Sequence, residues 1–164
     1  MSETSPPLLS GFPPVMGADM QLLILGSFPG VASLAAGQYY AHPRNQFWRL
    51  LSAVLNDDLT ALTYKMRLER LISHRIGLWD VIAVCEREGS LDASIRRAQA
   101  ADFSRLQQSY PSLRRIAFNG KTAGRFAPVL AAAGFETLVL PSSSPANAQL
   151  SFAQKLVQWR SLRR

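Results

Sequence analysis

Few residues in this chain are equipped for the commonest enzyme chemistries, and their spacing works against those chemistries. There are two histidines and one cysteine in 164 residues. His42 and His74 show no H-x-x-x-H spacing and have no cysteine partner, so a zinc centre lacks ligands. A lone Cys85 excludes a disulfide framework and any multi-cysteine metal site, and it reads as a small buried hydrophobe in a reducing cytosol. Gly120-Lys121-Thr122 has the ending of a phosphate-binding loop, but the first glycine of that motif would fall where Arg115 stands. Gly26-Ser27-Phe28-Pro29-Gly30 follows an apolar run, yet it lacks the G-x-G-x-x-G spacing and places a proline where a helix should begin. There is no G-x-S-x-G elbow for a serine nucleophile. Nucleotide hydrolysis, nicotinamide chemistry, serine hydrolysis and metal catalysis are all disfavoured, and neither cofactor nor metal is expected. What remains is the stretch from Gly26 to Trp48, with Phe118-Asn119-Gly120 and Leu140 to Ala148 further along.

These segments need a frame. Gln21 to Gly26 is a short, continuous apolar run that suits a strand buried on both faces. Ser27 to Asn45 is a long connector, of a length that is often functional. Phe47, Leu50, Leu51 and Val54 fall at i, i+3, i+4 and i+7 and predict a helix, with Pro43 tolerable near its start. A second helix is expected over Tyr64–Ser73, a second strand over Gly77–Val84, and a helix over Ala101–Tyr110 closed by Pro111. Leu113–Phe118 reads as a third strand. Phe126, Val129, Leu130 and Ala133 repeat the helical stripe, which Gly134 ends. Phe135–Leu140 is a fourth strand. A last helix turns Phe152, Leu156 and Trp159 inward. Met1–Met20, with four prolines, reads as an extended arm and carries no secretory signal pattern. Alternating strands and helices predict one α/β domain over residues 1–164, a three-layer α/β/α arrangement with a mainly parallel four-stranded sheet. Ligands of such sheets bind beyond the C-terminal strand ends. The site should therefore be built from Ser27–Asn45, Cys85–Leu91, Asn119–Thr122 and Ser142–Ala148.

The ordered set Gly26-Ser27-Phe28-Pro29-Gly30, Tyr39-Tyr40-Ala41-His42-Pro43-Arg44-Asn45, Phe118-Asn119-Gly120 and Leu140-Pro141-Ser142-Ser143-Ser144-Pro145-Ala146-Asn147-Ala148 resembles the uracil-DNA glycosylase superfamily. The match is nearest its hypoxanthine (deoxyinosine) branch. That resemblance implies a monofunctional glycosylase that flips a deaminated base out of double-stranded DNA and hydrolyses its N-glycosidic bond. Phe28 stands where the mismatch-specific branch has a catalytic asparagine, and the resemblance moves that role to Asn45, whose carbonyl would orient the attacking water. It further implies base-binding roles for Ser27, Phe28, Tyr40 and Asn119, with Tyr40 stacking on the base. Ser142, Ser143 and Ser144, with Lys121 and Arg44, would contact DNA. Lys121 is the lone lysine of these motifs, so a Schiff-base lyase step is not indicated. Each residue also has a plain structural use: Asn45 as a helix cap, Tyr40 as a packed loop aromatic, Asn119 as an Asn-Gly turn residue, and the serines as a Ser-Pro turn. His42 reads as a loop brace. Alternatives stay open: a uracil or mismatch-specific glycosylase of the same superfamily, or a non-catalytic nucleic-acid binder.

Composition agrees with a nucleic-acid partner. Apolar residues make up 48% and charged residues 18%, enough for one buried core and no disordered tail. No apolar run reaches the roughly 18 residues that cross a bilayer. A monomer acting on bacterial DNA in the cytoplasm is the expected setting. The net charge is +7, and fifteen of eighteen cations are arginine, the side chain best shaped for phosphate. Residues 103–164 hold nine basic residues against Glu136 alone, a net of +8. Such a footprint expects a polyanion. Binding to undamaged duplex DNA should therefore weaken steeply with salt, each phosphate contact adding roughly −0.9 to the slope of log K against log salt. Fluorescence anisotropy at several salt concentrations measures that slope, and a flat line would remove DNA as the partner.

Overall fold

The computed structural model describes residues 7–163; the first six residues, including Pro6, and Arg164 lie outside the described residues. The frame is a four-stranded parallel sheet in the order β3-β2-β6-β7, made of β2 (Leu22–Gly26), β3 (Ile76–Asp80), β6 (Arg115–Asn119) and β7 (Glu136–Leu140). The central β2 is buried at every position, which is why it reads as an uninterrupted apolar run. Alternate residues serve opposite faces. Leu22 and Ile24 join Leu78, Ala117 and Leu140 beneath α2 (Phe47–Leu55), α3 (Tyr64–Ser73) and α7 (Phe152–Trp159). Leu23 and Leu25 join Ile116, Phe118 and Leu130 on the other face, under α4 (Leu106–Ser109) and α6 (Ala127–Ala132). The three-layer α/β arrangement with its parallel four-stranded sheet is present.

Three elements differ from the sequence reading. The expected strand over 77–84 is two strands in two sheets. Beyond Gly26 ↔ Asp80 the central strand offers β3 no further partner, and Val81 instead donates its N–H to the Gly26 carbonyl at 2.8 Å. The chain then continues as β4 (Ile82–Glu86), which pairs antiparallel with β1 (Leu9–Ser10) and β5 (Arg96–Ala100). β5 gives no strand signal because all five residues are exposed and backbone pairing alone builds it. The helix expected over 101–110 shrinks to α4, since the Asp102 carboxylate accepts the Ser104 N–H at 3.0 Å and holds a turn there. The long connector 27–45 contains α1 (Val31–Ala36), ended by Gly37 in the left-handed region at φ 66°. The arm is tied down within its described part: Leu9 pairs with Cys85, and Val15 exchanges backbone hydrogen bonds with Leu78 at 2.8 and 2.9 Å.

The register lays out one edge for chemistry. Asp80, Gly26, Asn119 and Leu140 close neighbouring strands side by side. Gly120, at φ 100°, turns β6 into the short α5 (Lys121–Gly124), and a Cβ there would lie 3.1 Å from the Ser142 Cβ.

Candidate active site

Above this edge lies a cavity of about 750 Å³, walled by Gly26–Ser33, Tyr39, Tyr40, His42, Asn45, Asp80, Ser90–Asp92, Asn119–Thr122 and the loop after β7. Its firmest part is a hydrogen-bonded row centred on Ser143, which has no exposed surface. The Ser143 N–H donates to Asn119 Oδ1 at 2.9 Å, and Asn119 Nδ2 donates back to Ser143 Oγ at 2.9 Å. Ser143 Oγ in turn donates to Asn45 Oδ1 at 2.8 Å. Asn45 Oδ1 also accepts the Phe47 N–H at 3.0 Å, so Asn45 does serve the start of α2. Both acceptor positions of that carbonyl are filled, and Nδ2 is the end without a partner among the described residues.

Helix α7 holds the row from behind. The Gln46 N–H donates to the Ser143 carbonyl at 3.0 Å, and the buried Lys155 Nζ donates to Gln46 Oε1 at 2.9 Å. Trp159 Nε1 donates to the Pro141 carbonyl at 2.9 Å. Burial pushes the Lys155 ammonium below its usual range. The capping box of Ser151 and Gln154 starts α7 where these contacts need it.

Tyr40 lines the cavity with its ring stacked on Phe47, centroids 3.9 Å apart and planes 15° from parallel. Its backbone sits at φ 56°, a left-handed conformation that an aromatic residue rarely adopts. Phe28 is buried, with the Arg87 guanidinium 5.2 Å above its ring. Ser27 Oγ donates to Asp92 Oδ1 at 2.8 Å. His42 Nδ1 accepts the Arg44 N–H at 3.0 Å and braces the loop. Lys121, Ser142 and Ser144 line the cavity, whereas Arg44 is exposed and lies outside its lining. The Ser142 and Ser144 hydroxyls accept the Ser144 and Ala146 N–H groups at 3.1 and 3.2 Å, which shapes their loop.

Asp80 is the cavity residue that the sequence reading passed over. It stands in the middle of the run 77–84 that the sequence predicts as one strand, and a carboxylate inside such a run is the available signal. Asp80 is 5% exposed, and its Oδ2 has no hydrogen-bond partner among the described residues. Burial first, then the nearby Asp92 charge, push its pKa from 3.8 to about 7, with Arg87 acting in the opposite direction. The Tyr40 hydroxyl is likewise buried without a hydrogen-bond partner among the described residues. Burial and then the Asp80 charge drive the Tyr40 pKa upward, while the nearby Asn119 side chain opposes the shift. Among the described residues no group of three or more histidine, cysteine or acidic side chains could hold a metal, and no helix is long and apolar enough to cross a membrane.

Fold and site define a class. Residues 13–163 match the family model of the uracil DNA glycosylase superfamily, and the chain belongs to that superfamily. Among its relatives are two proteins named hypoxanthine DNA glycosylase. The one from Methanosarcina barkeri is 47% identical over 84% of this chain and 87% of its own length. The one from Methanosarcina acetivorans is 45% identical over 86% and 89%. A solution NMR structure from Methanosarcina acetivorans, described as a uracil DNA glycosylase, superposes with a TM-score of 0.85 at 41% identity, covering 96% of this chain and 99% of that one.

Two consequences concern stability. Between about pH 4 and pH 7 folded Asp80 retains a proton that the unfolded chain has released, so its contribution to stability falls as pH rises through that window. Asp80→Asn should therefore gain melting temperature relative to wild type from pH 4 to pH 7 and level off above. A difference independent of pH would show that Asp80 titrates normally. Ser143→Ala strands buried acceptors and donors and should cost about 1–3 kcal/mol in urea unfolding. Ser144→Ala, at a half-buried position, should cost less than about 1 kcal/mol.

Proposed function

We propose that this chain is a monofunctional DNA glycosylase that takes deoxyinosine out of double-stranded DNA and hydrolyses its N-glycosidic bond, releasing hypoxanthine for base excision repair. The observation that carries the reading is the Asn45–Ser143–Asn119 row: two amides fixed by one buried serine beside a cavity of about 750 Å³, in a chain 45–47% identical to proteins named for this activity.

Bond cleavage passes through an oxocarbenium-like sugar and a purine leaving as an anion. Such a state is helped by a water held in place and by hydrogen-bond donors to the departing base. The Asn45 carbonyl is engaged by Phe47 and Ser143, so the donor end of its amide is what it has to offer. Asn45 then holds the attacking water by its oxygen, or supports the leaving base, through Nδ2. Asn119 keeps one amide hydrogen and one carbonyl lone pair for the base edge. Tyr40, backed by Phe47, offers a flat surface on which a flipped base gains about 1–3 kcal/mol. The hydroxyls and Lys121 around the mouth suit phosphate oxygens. The enzyme acts as a monomer in the compartment that holds the DNA.

The test uses labelled duplexes carrying deoxyinosine or deoxyuridine, read with and without alkali. Strand breaks at deoxyinosine that require alkali are expected. Release of uracil alone would move the protein to a sister activity, breaks without alkali would add a lyase step, and no release would leave a binder. Asn45→Asp refines the test, because a carboxylate keeps both acceptor contacts and exchanges the amide donor for a negative charge. Single-turnover excision should fall by roughly 10²–10³ while the melting temperature stays within a few degrees. An unchanged rate would remove the Asn45 Nδ2 donor from the chemistry.

A further inference from the structure

The row of amides leaves one demand of the reaction unmet. Asn45, Asn119 and Ser143 are neutral, so none of them offsets the positive charge that builds on the sugar, and an amide does not take up the proton of an attacking water. Among the described residues two carboxylates line the cavity, Asp80 and Asp92. Asp80 is buried, which favours its protonated form. Asp92 is exposed, at the start of the short 3-10 turn Asp92–Ser94 that follows β4. Its charge reaches inward: after burial it is the main cause that raises Asp80, and after burial and Asp80 it adds to the rise at Tyr40.

The Asp92 carboxylate is held in place. Ser27 Oγ, just past the central strand, donates to its Oδ1 at 2.8 Å. Ser90 Oγ accepts the Val31 N–H at 2.9 Å, and the buried Arg87 donates to the Gly89 and Pro29 carbonyls, so the 87–92 loop is tied to the loop after β2. Oδ2 has no hydrogen-bond partner among the described residues. An exposed carboxylate at the mouth of a site for a polyanion repels phosphate and weakens binding.

We infer that Asp92 is a catalytic carboxylate supplied by the loop between β4 and β5: it faces the oxocarbenium-like sugar and accepts the proton of the attacking water. The inference rests on the glycosylase reading above. The C1′–N9 bond breaks with its electron pair on the departing purine, and the water oxygen bonds to C1′. The water proton passes through Asp92 Oδ2 to the purine anion, which leaves Asp92 ionised again.

Asp92→Asn keeps an acceptor for Ser27 and removes the charge. Its single-turnover excision of hypoxanthine should fall about 100-fold or more. Its affinity for a duplex with uncleavable 2′-fluoro deoxyinosine should hold or rise, because one repulsion of phosphate is gone. Rate unchanged, or rate, affinity and melting temperature all lowered together, would overturn the proposal, the second by making Asp92 a brace for Ser27. Abasic analogues read the charge directly. Wild type should bind a duplex with a cationic pyrrolidine in place of the sugar about 10-fold or more tighter than one with neutral tetrahydrofuran. That preference should vanish in Asp92→Asn and persist in Asp92→Glu; its survival in Asp92→Asn, or its absence from wild type, would overturn the proposal. Wild type that shows the preference yet releases no base would refute the glycosylase reading and leave Asp92 as a carboxylate that binds a cationic sugar mimic.

Discussion

The site hangs on the burial of Ser143. A serine with no exposed surface would be a liability if any of its polar atoms went unpaired, and here N–H, carbonyl and hydroxyl are all engaged. Those bonds join three pieces of chain far apart in sequence: the end of β6, the loop after β7 and the entry to α2. Asn45 and Asn119 are 74 positions apart, yet one hydroxyl sits between their amides. Neither asparagine can swing away without stranding a buried partner. That is the kind of preorganisation that lets hydrogen bonds act on a developing charge without first having to reorganise.

The support is mostly apolar, with charges placed where they cost something. Phe47 is the hub: Tyr40 stacks on one side, while Trp48 and Trp159 meet its ring nearly perpendicular. The left-handed backbone at Tyr40 is held by this packing. Lys155, Asp80 and Arg87 are all buried. Lys155 has an amide oxygen and Arg87 has backbone carbonyls, those of Gly89 and Pro29. Asp80 has no comparable partner among the described residues.

The surplus of arginine serves two purposes that composition cannot separate. Arg115 reaches the Ser161 and Leu162 carbonyls at 3.1 Å each and holds the C-terminal turn. Arg67 donates to the Leu59 carbonyl at 2.9 Å, and Arg70 pairs with Asp57. Part of the basic character is thus internal bracing, and the positive surface offered to a polyanion is smaller than the net charge suggests.

The strands, the helix stripes and the ordered motifs at the strand ends were legible in the residues, because period and turn chemistry are local properties. The parallel sheet, the apolar β2 and the loops expected to carry the site follow from such patterns. The superfamily was legible too, since its motifs are short and keep their spacing. Tertiary structure decided the rest. Val81 divides one apolar run between two sheets because the neighbouring strand ends at Gly26, which no property of the run itself records. Exposed Arg96–Ala100 forms a strand only through backbone pairing with β4. Asn45 as a cap leaves its amide free for another use, since one carbonyl oxygen takes the α2 amide and the Ser143 hydroxyl while the amide nitrogen has no partner among the described residues. Asp80 became chemically interesting only when folding removed its water and supplied no donor, and solvation of that kind depends on everything packed around a residue rather than on its neighbours in sequence.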